Sequence, residues 1–107
     1  MEETMQLTKE EYKSTMTSRM RDVTDTAEPA LNIWSYVEKL KNNNLVLEYV
    51  YDKQLVEKVY RNDEKTIDHV LLPTKNENIF MVIVIDLIQV RIKGHFELDL
   101  DKEYGIS

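Results

Sequence analysis

Seven consecutive apolar residues, Ile79-Phe80-Met81-Val82-Ile83-Val84-Ile85, constrain this chain more than any other stretch. No polar side chain falls on either face of the run, so as a strand it reads as buried on both sides. It is the longest apolar run in the sequence, yet far short of the roughly 20 residues that cross a bilayer. Left open to solvent, such a strand is an aggregation hazard. Both of its faces therefore need cover.

Further strands flank it. Gln89 to Leu98 sets Val90, Ile92, Phe96 and Leu98 against Gln89, Arg91, Lys93, His95 and Glu97. Thr66 to Leu72 precedes the central run and is closed by Pro73 and the polar Lys75-Asn76-Glu77-Asn78. Leu55 to Arg61 leads into the turn Asn62-Asp63-Glu64-Lys65, and Val46 to Tyr51 is rich in β-branched and aromatic residues. Short strands separated by polar turns predict an antiparallel meander of four or five strands over about 45–98. The stretch 45–60 stays open between hairpin and helix. Leu47, Val50, Tyr51, Leu55 and Val59 also fit helical spacing, and a turn at Asp52-Lys53 would set Glu48 directly against Glu57.

Two helices are expected before the sheet. Thr8 and Glu11 form a capping box, and Leu7 is placed to staple onto Tyr12. Tyr12, Met16, Met20 and Val23 then give an apolar stripe, predicting a helix over about 9–22. Thr26 is a suitable cap and Pro29 suits a first helical turn. Ala30, Ile33, Trp34, Val37 and Leu40 predict a second helix over about 29–42, ended by Asn42-Asn43-Asn44. The expectation is thus an α+β fold, with both helices packed on one face of the meander and an acidic tail over 99–107.

Strict alternation assigns the two sheet faces. The helix-facing side collects Val59, Val70, Leu72, Met81, Ile83, Ile85, Val90, Ile92, Phe96 and Leu98. The second collects Tyr60, Ile67, Leu71, Phe80, Val82 and Val84, with Lys58, His69, Arg91, Lys93 and His95 among them. The second face is too apolar to stand in water, and large apolar patches mark interfaces. Tyr60, Leu71, Phe80, Val82 and Val84, rimmed by Arg91, Lys93 and His95, are accordingly the candidate interface. A loop, the acidic tail or the first helix is the competing cover.

Composition narrows the function. The 107 residues suit one domain, residues 1–107. The net charge of −6 opposes a nucleic-acid role, although Tyr60, Phe80, Lys58, Arg91 and Lys93 mix basic and aromatic groups on one face. There is no Cys, hence no disulfide or thiolate site, and only Gly94 and Gly105 are glycines, too few for a phosphate-binding loop. The two histidines, His69 and His95, lack metal-ligand spacing. Asp86, Asp99 and Asp101 do not form a calcium loop. No nucleophile motif is present. The short acidic N-terminus is unlike a signal peptide, which with the absence of Cys fits the cytoplasm.

One catalytic arrangement stays open. Glu48, Glu57 and Asp68 would fall on the helix-facing side, where an apolar pocket raises carboxylate pKa values and suits acid–base work. In element order alone, helices over a curved sheet resemble the cystatin-like and nuclear-transport-factor-like folds, and that resemblance implies such a pocket and a small ligand. The composition itself points elsewhere, to a small acidic protein of the inhibitor, immunity or adaptor type. Such a protein is not an enzyme, needs no cofactor or metal, and binds a protein partner or a second copy, with no nucleic acid and no membrane.

Overall fold

The computed structural model describes residues 7–15, 19–26, 28–42, 56–74 and 76–99. In chain order they form α1 (Lys9–Thr15), β1 (Met20–Asp22), α2 (Trp34–Asn42), β2 (Lys58–Asn62), β3 (Ile67–Pro73), β4 (Ile79–Asp86) and β5 (Arg91–Asp99). The strands make one antiparallel sheet in the order β1-β2-β3-β4-β5. β4 is the buried strand its composition requires, with Met81 to Ile85 all at 1% exposure or less.

The expected pair of N-terminal helices on one face is overturned. The described residues are mostly strand, the two helices among them are short, and they pack on opposite faces of the sheet. α1 begins as the sequence indicates. The Glu11 amide donates to Thr8 Oγ1 at 3.1 Å, and the Thr8 amide to Glu11 Oε1 at 3.2 Å. It is described over Lys9–Thr15 and does not reach residue 22, because Met20–Asp22 form a strand. In its last turn Ser14 Oγ donates to the Glu11 carbonyl and Thr15 Oγ1 to that of Tyr12. Met20, expected on the helical stripe, instead begins β1 and pairs with Asn62 along the outer edge of β2.

α2 begins at Trp34, not at Pro29, and is capped by Asn32, whose Oδ1 accepts the Trp34 amide at 3.1 Å. Thr26, the expected cap, belongs to a turn in which its amide donates to the Val23 carbonyl. Ile33, Val37 and Leu40 pack on Val70, Leu72, Met81, Ile83 and Ile85, forming the first-face core. The expected strand over 46–51 lies outside the described residues.

On the second face, Leu71, Val82, Val84, Phe96 and Leu98 form another cluster, and Leu7 and Tyr12 pack against it. Strict alternation places Phe96 and Leu98 on the first face and His95 on the second. A bulge reverses all three. Val84 pairs with Gly94 but Ile85 with Ile92, leaving Lys93 as an extra residue in β5. One extra residue turns every later side chain to the other face. Gly94 sits at the bulge with φ 157°, where a side chain would crowd the backbone.

Candidate functional site

The buried carboxylate inside the sheet is matched by its own neighbour. Asp68 is fully buried and lies directly across from Arg61 in the β2–β3 ladder. Arg61 Nε and Nη2 donate to its two carboxylate oxygens at 2.7 and 2.8 Å, a bidentate pair. Of the proposed carboxylate pocket, Glu48 lies outside the described residues and Glu57 is exposed just ahead of β2. Asp68 has both oxygens taken by Arg61, so Glu57 and Asp68 do not converge on a common cavity.

The histidines lie on opposite faces, not on a shared one. His95 is buried towards α2, with its Nδ1 2.8 Å from the Tyr36 hydroxyl. His69 is buried towards α1, with its Nε2 2.9 Å from Thr15 Oγ1. Because the Thr15 hydroxyl proton goes to the Tyr12 carbonyl at 2.6 Å, its oxygen accepts and the imidazole N–H donates. A His-activated nucleophile needs the reverse polarity. Burial pulls His69 down to about 4, opposed by the Asp68 charge. No group of three or more acidic or histidine side chains able to hold a metal ion occurs among the described residues. No helix among them is long and apolar enough to cross a membrane.

The candidate interface divides. Leu71, Val82 and Val84 are buried in the cluster that Leu7 and Tyr12 cover. Tyr60 and Phe80 are half-buried at its margin, Arg91 is exposed, Lys93 sits in the bulge, and His95 points to the opposite face. Part of the second face is therefore covered by the chain's own Leu7 and Tyr12.

Apolar surface is presented instead at one end of the sheet. Two turns lie side by side there, joined by the Leu87 amide donating to the Thr66 carbonyl at 2.8 Å. The β2–β3 turn is polar and internally bonded. Asn62 Oδ1 accepts the amides of Thr66 and Ile67, its Nδ2 donates to Thr66 Oγ1, and Asp63 pairs with Arg21 at 2.8 Å. The β4–β5 turn, Leu87-Ile88-Gln89-Val90, is not polar. Asp86 Oδ1 fixes its start by accepting the amides of Ile88 and Gln89, and the Gln89 amide leads the contacts that hold Asp86 below the usual carboxylate range. Leu87 tucks against the first-face core. Ile88 is 73% exposed and Val90 50% exposed.

Val90 also has φ 52°, a value that suits Gly or Asn and strains a β-branched residue. Sequence reasoning placed Val90 on the core face and passed over Ile88. The available signal was a negative one, since the connection from β4 to β5 contains no Gly, Asn or Pro.

Comparisons with protein-family models, curated proteins and solved structures find no match to the chain.

Proposed function

We propose that this chain is a non-catalytic protein-binding module of the cytoplasm that meets a protein partner, or a second copy of itself, through the β4–β5 turn. The observation that carries this reading is the pairing of strain with exposure at Val90 (φ 52°, half in water) beside the exposed Ile88. A left-handed β-branched residue costs about 1–3 kcal/mol, and neither apolar side chain recovers that cost by burial within the fold. Departures from local preference of this kind concentrate at functional positions. Arg91, exposed beside the turn, supplies the polar rim that surrounds apolar anchors in interfaces. The polarity of the Thr15–His69 bond and the closed Arg61–Asp68 pair support the absence of catalysis, and the net charge of −6 supports a protein rather than a nucleic-acid partner.

The test uses Val90→Asn and Ile88→Ser. Asn tolerates the left-handed region, so Val90→Asn should stabilise the fold by about 1 kcal/mol. Both variants should weaken self-association in sedimentation, or capture of a host protein, by roughly tenfold. Binding equal to that of the unaltered chain in both variants would overturn the reading.

A further inference from the structure

We propose that His69 is an acid-operated latch for α1: on gaining a proton it releases the helix and uncovers the second face of the sheet. The inference rests on the packing of α1 alone and stands whether or not the β4–β5 turn binds a partner.

α1 is seven residues long, too short to persist as a helix once undocked. It is held on the sheet by Tyr12, which packs on the second-face cluster, and by Thr15, which accepts the His69 N–H; just ahead of it Leu7 packs on the same cluster and its amide donates to the His95 carbonyl at 2.9 Å. Tyr12 stacks on Phe96 with ring centroids 4.1 Å apart, and His69 meets the same Phe96 edge to face at 5.9 Å. Thr15, Tyr12, Phe96 and His69 thus form one cluster that joins the helix to β3 and β5.

The surroundings of the ring offer little to a positive charge. From β2, Tyr60 is its ladder partner, and from β4, Val84. Lys58 and Asp22 lie on the same face but are tied to each other at 2.9 Å. Asp86 lies farther along that face, its Oδ1 taken by the Ile88 and Gln89 amides, with the Lys93 and Arg91 charges near it. From α1 come Tyr12 and Thr15, while Glu10, Glu11 and Lys13 point to solvent. Asp68, next to His69 in β3, faces the other side of the sheet and is held by Arg61. β3 has strands on both sides and cannot carry the ring to water. The helix can leave, and with it goes the layer that keeps water from the imidazole.

Amide hydrogen exchange across pH 7 to 4, corrected for intrinsic rates, tests the latch. Protection in α1 should fall by up to roughly 100-fold between pH 6.5 and 4, while β3 and β4 stay protected. In His69→Gln, whose amide can still donate to Thr15, the pH dependence of α1 should vanish. Should that variant not fold, the NMR titration of His69 in the unaltered chain should share its midpoint with α1 opening. Simultaneous loss of α1 and β4, persistence of the effect in His69→Gln, or separated midpoints would each overturn the latch.

Discussion

The two faces of the sheet are closed by different means. The first, under α2, has an aliphatic core; its buried carboxylate finds its partner within the sheet, Asp68 against Arg61 in the next strand, while its buried imidazole, His95, meets the Tyr36 hydroxyl on α2. The second, under α1, is partly aromatic, and its buried imidazole finds its partner outside the sheet, on a short helix. A polar group satisfied by the strand beside it loses that partner only when the sheet itself opens. One satisfied by a covering element loses it whenever the cover lifts. Each face has an imidazole tied to its covering helix, but only the first is also held by an ion pair between strands, so the second should open ahead of it.

The largest effect should come from Arg61→Ala. It leaves a buried carboxylate without its guanidinium, a change that costs about 3–5 kcal/mol. Urea unfolding at pH 7 reads this directly, and a loss below about 1 kcal/mol would show that the pair does not hold the first face. Acid comes next. His69 at about 4 lies below its unfolded value of 6.5, so between those values the unfolded chain binds more protons. Stability is complete above pH 6.5 and falls as the pH drops towards 4, with a ceiling of about 3 kcal/mol. Unfolding free energies measured across this range, with and without His69→Gln, isolate the contribution.

Tyr12→Ala removes the stack on Phe96 and should cost about 1–2 kcal/mol. Exchange should rise in α1 but not in α2; an equal rise in both would erase the distinction between the faces. Thr8→Ala, which breaks one arm of the capping box, should cost about 1 kcal/mol, seen as a small fall in Tm.

Much of the sheet was legible because β3 and β4 obey simple alternation. Met81, Ile83 and Ile85 face α2, while Val82 and Val84 face α1, as parity requires. The stripe Ile33, Val37 and Leu40 and the Thr8–Glu11 box were legible for the same reason, since each is a local pattern with a local cause. Two errors came from non-local effects. Lys93 reverses the later half of β5, and alternation alone cannot show a bulge. Met20 to Asp22 join an edge of β2 that the sequence, read locally, does not show to be vacant. The turn at Ile88 and Val90 escaped notice because apolar residues were read as core, whereas φ 52° at Val90 is a property of the folded backbone.

The order of the strands also bears on how the chain reaches its folded state. β2 to β5 are joined by tight connections, so each can zip onto the last with little loop entropy lost. β1 must find β2 from more than forty positions away, Met20 against Asn62. The N-terminal third should accordingly be absent from the folding nucleus and add itself to a sheet already formed. In stopped-flow kinetics, truncating Met20 should then hasten unfolding and leave the folding rate almost unchanged.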